Sequence, residues 1–293
     1  MSLLELTVII LALLVGIGGL VMLAGLCLRA AAAHGARCPD VAGPDCGHRA
    51  RGKRRCSAHG LLGLSVAAGL AVIVLASVSL GKLIEDVTKR DGIAMLDHPV
   101  AQFVASRRVP ELTSVMVVTG TAGGPVAMAL LGLAVGVILS ITRRSWTPVL
   151  VLAVTAAGVT GLALVFKTVL GLPRPPSAQA VAHADGYGFP SGHAAAAAAI
   201  CGVAAWLIAS RRRSWTGRLA VWAAAAMIAT FVGISRIYLG VHWTTDVLGG
   251  WSFGVLWMGV VISGWAYFGC NRGSRPRPAA DEDVPRNAGD VWP

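Results

Sequence analysis

Three clusters of polar residues interrupt the otherwise apolar second half of the chain. They combine cationic, hydroxyl and imidazole side chains: Lys167, Arg174 and Pro175; Pro190, Ser191, Gly192 and His193; and Ser235, Arg236, His242 and Asp246. Arginine binds phosphate oxygens with a planar fork, and lysine acts as a point charge. Lys167, Arg174 and Arg236 would repel one another around one site, so together they predict an anionic ligand such as phosphate. A single lysine or arginine at the end of a span commonly just extends its charged group to the membrane interface. Three such cations beside two histidines instead favour a binding site.

Ser191 and Gly192 follow Pro190 and are predicted to open a helix. Serine is a favoured helix N-cap, and the free amides of a helix start attract phosphate. We therefore assign Ser191 and Gly192 to phosphate binding, a role that is compatible with simple capping. His193 lies in the first turn, beside the expected anion. A bound phosphate favours the imidazolium form of His193, which can then donate a proton to the leaving oxygen.

His242 and Asp246 are four residues apart, which places them on one helix face if a helix begins near His242. A carboxylate holds one ring nitrogen protonated and leaves the other free as a nucleophile. The simpler alternative is a capping aspartate beside an interfacial histidine. Beside the cations, the pair predicts a phosphohistidine on His242, with Asp246 as its partner and His193 as the acid. Water would then release phosphate.

Carboxylates are scarce around these clusters. Asp246 is the only one within them, and Asp185 stands alone in the loop before Pro190. Magnesium and two-metal phosphatases need several oxygen ligands, so we expect catalysis without a metal ion or other cofactor. Between residues 29 and 60, three cysteines suggest a zinc site, but their C-x7-C-x9-C spacing lacks the close pairs typical of such sites.

Composition places these clusters in a membrane protein. Hydrophobic residues make up 55% of the 293 residues and charged residues only 13%, whereas soluble domains carry about 25% charged residues. Apolar runs of about 20 residues span a bilayer as helices, because a helix satisfies its own backbone there. Seven runs qualify, at about 3–28, 61–81, 113–140, 148–170, 192–209, 218–239 and 246–268. The predicted fold is an all-α integral membrane protein.

The net charge of +11 resides mainly in the connections between apolar runs, which argues against nucleic acid as a partner. With seven spans, 17 of the 25 Lys and Arg residues fall on one side of the membrane. Because cytoplasmic loops carry the positive charge, we expect an outer N-terminus and a cytoplasmic tail. The long first run has no basic residue before it, so we interpret it as a span and not as a cleaved signal peptide.

The chain divides into four predicted segments. They are an extra N-terminal span at 1–28, a basic cytoplasmic connector at 29–60, a six-helix membrane domain at 61–268, and a disordered cytoplasmic tail at 269–293. On the outer side, residues 82–112 are too polar to span. Leu96, Val100, Phe103 and Val104 recur there at helical spacing, which predicts a short helix lying in the membrane interface.

The three clusters have the patterns K-x6-R-P, P-S-G-H and S-R-x5-H-x3-D, and they resemble the signature of the type 2 phosphatidic acid phosphatase superfamily. The resemblance covers roughly residues 61–268 and implies metal-independent hydrolysis of phosphoesters or pyrophosphates at the outer membrane face. It implies His242 as nucleophile, Asp246 as its partner and His193 as the acid. It also implies a phosphate-binding set: Lys167, Arg174, Ser191, Gly192 and Arg236. Soluble haloperoxidases share the pocket, but the apolar runs argue against that branch.

The resulting hypothesis is a lipid phosphate or polyprenyl pyrophosphate phosphatase, whose partners are a membrane lipid substrate and the bilayer. A phosphotransferase would use the same intermediate and pass the phosphate to an acceptor other than water. An anion transporter would need the cations but not an oriented nucleophile, so the pairing of His242 with Asp246 disfavours it. Three residues of the loop before Pro190 are candidates for headgroup contacts: His183, Asp185 and Tyr187.

Overall fold

The computed structural model describes residues 49–176, 180–182 and 184–272, and it describes side chains between residues 69 and 265. Within these ranges the regular structure is entirely helical. It consists of eight α-helices and one 3-10 helix: α1 (Arg49–Lys89), the 3-10 helix (Gly92–Leu96), α2 (Asp97–Ser106), α3 (Pro110–Ala122), α4 (Pro125–Arg143), α5 (Thr147–Leu170), α6 (Gly192–Ala209), α7 (Trp215–Tyr238) and α8 (Thr244–Arg272).

Most of the predicted spans correspond to single helices. The five helices α4 to α8 are each long and apolar enough to cross a membrane, and α1 contains the apolar run 61–81. The prediction of an all-α membrane fold is therefore confirmed. The first predicted span, 3–28, and the tail after residue 272 lie outside the described residues. Helix α1 already begins at Arg49, inside the expected connector 29–60.

The third predicted span is wrong as a single helix. Residues 113–140 fall into two helices, because α3 ends at Ala122 and α4 begins at Pro125. Gly124 has extended backbone torsions and Pro125 occupies the first turn of α4. Proline lacks an amide proton and disfavours helical torsions in the residue before it, so the Gly-Gly-Pro sequence breaks the helix. At 13 residues, α3 is about 20 Å long, which is too short to span.

The connection between α1 and α3 contains the predicted short helix, α2. Its Phe103 is 56% exposed, and the Arg107 guanidinium lies 4.2 Å from the centre of the Phe103 ring. The existence of this helix is confirmed, and its location in the membrane interface stays a prediction. Asp97, at the start of α2, is buried instead, so this end of the helix packs into the protein.

Helix α6 is the centre of the bundle and packs against α4, α5, α7 and α8. Its many alanine side chains are small, so neighbouring helices can pack close to it, and most of its residues are buried. Glycines of α8 approach it closely: a methyl group on Gly250 would lie 2.6 Å from the Ser191 carbonyl oxygen, and one on Gly254 would lie 2.5 Å from that of Ala195. This contact between small residues, typical of membrane helices, places the starts of α6 and α8 side by side.

Candidate active site

The three polar clusters meet at one end of the bundle. Lys167 lies in the last turn of α5, and Arg174 follows in the loop after Gly171 ends that helix in a left-handed conformation. His193 is in the first turn of α6. Arg236 is in the last turn of α7, and Asp246 is in the first turn of α8. Four span ends thus converge, as the motif order along the chain predicted.

His242 is held on both sides by groups that define its protonation. Its Nδ1 lies 3.1 Å from Asp246 Oδ2, and its Nε2 lies 3.0 Å from Arg174 Nη1. Because arginine can only donate, Nε2 must be the acceptor, so the proton is on Nδ1 and is donated to Asp246. This tautomer leaves an electron pair on Nε2, which accepts the hydrogen bond from Arg174, a cation that can bind phosphate.

The surroundings of His242 also keep it neutral. The side chain is buried, and three cations lie near it: Arg174, Lys167 and Arg236. Burial, followed by repulsion from these cations, lowers the pKa of His242 well below its usual range. A neutral imidazole is the form that can act as a nucleophile.

The placement of His242 differs in one respect from the sequence expectation. Helix α8 begins at Thr244, so His242 precedes it and does not share a helix face with Asp246. Asp246 reaches back to the chain before the helix, where Oδ2 also accepts a hydrogen bond from the Trp243 amide at 3.0 Å. This is the return contact of a capping box. Helix capping and a contact with His242, considered as alternatives from the sequence, are thus combined in one carboxylate.

Backbone carbonyls of the loop 185–188 accept hydrogen bonds from two of the cations. Lys167 Nζ donates to the carbonyl oxygens of Tyr187 at 2.7 Å and Gly188 at 2.9 Å. Arg174 donates to those of Gly186 at 3.0 Å and Asp185 at 3.1 Å. The sequence suggested side-chain contacts with a headgroup from this loop. In the structure, Asp185 and Tyr187 contribute carbonyls that orient the cations, and His183 lies outside the described residues.

Among the residues that the structure describes, two buried polar atoms of the candidate site have no hydrogen-bond partner. They are Ser191 Oγ and Arg236 Nε. Ser191 is the residue before α6, as predicted, but its side chain does not cap the helix. An unsatisfied buried polar group costs about 1–3 kcal/mol, and a phosphate oxygen is a suitable acceptor for both groups. In the described part of the chain, no cluster of three or more His, Cys, Asp or Glu side chains has the arrangement of a metal site.

Comparison with known proteins agrees with this geometry. A family model of the PAP2 superfamily matches residues 146–270, which include all three clusters. Phosphatidylglycerophosphatase B of Bacillus subtilis (strain 168) is 32% identical over 167 residues, which cover 57% of this chain and 81% of that protein. The chain belongs to the PAP2 superfamily.

A solved PAP2 structure extends the similarity to three dimensions. The crystal structure of a transmembrane PAP2 type phosphatidylglycerolphosphate phosphatase from Bacillus subtilis matches with a TM-score of 0.58 and 26% identity, covering 71% of this chain and 97% of that one. The family resemblance drawn from the motifs is confirmed. As a PAP2 member, the chain is a hydrolase of the lipid phosphatase class.

The break between α3 and α4, which the apolar run 113–140 did not predict, also borders the candidate site. A methyl group on Gly120 would lie 2.9 Å from Arg236 Nη1, and one on Gly124 would lie 3.7 Å from His193 Nε2. The available signal was the glycine-rich stretch 120–125 inside a long apolar run. Its backbone therefore forms a wall of the site beside both side chains.

Gly120→Ala should weaken phosphate binding with little loss of stability. The new methyl group would lie 2.9 Å from Arg236 Nη1 and 3.2 Å from Leu239 Cδ1. Both atoms are side-chain ends, so we expect the guanidinium to move while the helices stay in place. We expect the inhibition constant of inorganic phosphate to rise about tenfold, which corresponds to ~1.4 kcal/mol. Gly161→Ala is the matched control, because a methyl group there meets no atom within 4 Å. Equal inhibition constants for the two variants would contradict this role of Gly120.

Proposed function

We propose that this protein hydrolyses the phosphomonoester of a membrane lipid through a phosphohistidine on His242, and that phosphatidylglycerophosphate is the first substrate to test. The main support is the environment of His242, where Nδ1 donates a hydrogen bond to Asp246 and Arg174 lies at Nε2. An oriented, neutral imidazole next to phosphate-binding cations suits nucleophilic attack on phosphorus. The similarity to phosphatidylglycerophosphatase B supports the choice of substrate.

The first step of the proposed reaction forms the phosphoenzyme. The substrate phosphate replaces His242 Nε2 as the acceptor for Arg174 Nη1. The Nε2 electron pair then forms a bond to phosphorus while the bond from phosphorus to the lipid oxygen breaks. Protonated His193 gives its proton to that oxygen, so that a neutral alcohol leaves. Asp246 stabilises the positive charge on the His242 ring.

The second step returns the enzyme to its starting state. Neutral His193 takes a proton from water while the water oxygen attacks phosphorus and the bond to Nε2 breaks. Four groups are proposed to hold the phosphate oxygens throughout: Lys167, Arg174, Arg236 and the helix start at Ser191 and Gly192. Fixed donors of this kind stabilise the charge of the transition state without reorganising. No step requires a metal ion.

The substrate class is tested by phosphate release from a panel. We expect the purified protein to act on phosphatidylglycerophosphate or phosphatidate, in excess EDTA, at least tenfold faster than on glycerol 3-phosphate, because the site lies at span ends. Polyprenyl pyrophosphate tests the alternative lipid class. A preference for the soluble ester would overturn the lipid assignment, and strict dependence on added magnesium would overturn the metal-free mechanism.

The phosphoenzyme is tested with p-nitrophenyl phosphate whose phosphorus is labelled with 32P. This leaving group needs no proton, so His193→Ala should permit the first step and slow the second, and labelled enzyme should accumulate. The label should be stable in base and labile in acid. His242→Ala should abolish the label and lower kcat by about four orders of magnitude, as expected for loss of a nucleophile. Label that persists in His242→Ala would place the nucleophile elsewhere.

We also propose that the site faces the outside of the cell. The supporting observation is charge at the other ends of α5 and α6. Arg143 ends α4 and Arg144 follows it just before α5, and the group Arg211 to Arg213 follows α6. In a variant with all six cysteines replaced by serine, Ser106→Cys should react with a membrane-impermeant maleimide in intact cells. Arg213→Cys should react only after lysis. The reverse pattern would invert the topology.

A further inference from the structure

Asp97, at the start of α2, makes a buried contact with the first turn of α8. Its Oδ1 accepts a hydrogen bond from the Thr245 amide at 3.0 Å, and its Oδ2 accepts one from Thr245 Oγ1 at 2.6 Å. Asp97 is 7% exposed and Thr245 is fully buried. The two residues are 148 positions apart in the chain, and Thr245 directly precedes Asp246.

The Asp97 carboxylate satisfies a need that α8 cannot meet itself. The first amides of a helix have no partner within the helix, and carboxylates near them are favourable. Asp246 Oδ2 is already shared between the Trp243 amide and His242 Nδ1. The Thr245 amide therefore relies on a carboxylate from another segment.

A second contact from the connection between α1 and α3 is made with Trp243, the residue after His242. The ring of His98 lies 4.6 Å from that of Trp243, centre to centre. Trp243 Nε1 in turn donates to the Pro173 carbonyl oxygen at 3.2 Å, and Pro173 directly precedes Arg174. Residues 97 and 98 are thus linked through Thr245 to Asp246 and through Trp243 to the segment that carries Arg174.

We propose that Asp97 is a positioning residue for the pair formed by His242 and Asp246. It does not touch the substrate. It holds the first turn of α8 so that Asp246 Oδ2 stays on His242 Nδ1 and Nε2 keeps its direction toward the phosphate. This inference rests on the proposed role of His242. A misplacement of about 1 Å in a reacting group can cost about a hundredfold in rate, so this anchor should affect catalysis more than binding.

Three variants separate positioning from general stability. Asp97→Ala removes both contacts, and we expect kcat with the best lipid substrate to fall about a hundredfold. The inhibition constant of inorganic phosphate should change less than threefold, because the cations are untouched. Asp97→Asn should recover most of the activity, since its amide oxygen can accept from the Thr245 amide and its amide nitrogen can donate to Thr245 Oγ1. Asp91→Ala is the control, because the Asp91 side chain caps the 3-10 helix of the same connection.

Amide hydrogen exchange tests the same anchor without relying on turnover. In Asp97→Ala, exchange in peptides covering 242–248 should accelerate at least tenfold, while peptides covering 192–200 should be unchanged. If exchange responds but the wild-type protein releases phosphate from no substrate, the anchor stands and the proposed function fails. If Asp97→Ala keeps wild-type kcat and wild-type exchange, the inference fails. Loss of protection over the whole chain, or an equal loss of activity in Asp91→Ala, would also overturn it.

Discussion

The bond between Asp246 and His242 is the interaction around which this end of the bundle is organised. Asp246 Oδ2 accepts from His242 Nδ1 and also caps α8, the helix on which Asp246 itself lies. The backbone carbonyl of Asp246 accepts the Ser191 amide at 2.9 Å, which ties the start of α6 to the start of α8. Gly188 packs against the same carboxylate so closely that a methyl group there would lie 2.8 Å from Oδ2. One residue thus links three of the segments that form the site.

Charge sets the second constraint. Arg236 is buried, and Arg174 lies near enough to repel both Arg236 and Lys167. Carbonyl oxygens of the loop 185–188 partly compensate Lys167 and Arg174. Carbonyls orient a cation without cancelling its charge, so the site keeps a net attraction for anions. A carboxylate in their place would form a closed salt bridge and compete with phosphate.

Sequence patterns predicted those features that follow from local chemistry. Apolar runs gave the positions of the spanning helices, and the cation and histidine types indicated a phosphate site. The break of the run 113–140 was missed because hydropathy averages over Gly123 and Gly124, although their torsions decide the helix end. The contact of Asp97 with Thr245 could not be predicted from the sequence, because it joins residues 148 positions apart. The carbonyl contacts of Lys167 and Arg174 depend on loop conformation, which residue types do not specify.

The hydrogen bond from Arg174 to His242 Nε2 has a consequence for chemical selectivity. In the resting protein the electron pair of this nitrogen is already engaged by a guanidinium. A neutral electrophile has no anionic oxygen to accept the hydrogen bond of that guanidinium, so the guanidinium stays bonded to Nε2. An anionic group can accept the hydrogen bond of Arg174 in place of Nε2, which leaves the electron pair of Nε2 available. The proposed nucleophile would therefore be unmasked by the charge of its own substrate, and uncharged alkylating or acylating reagents should find it a poor target.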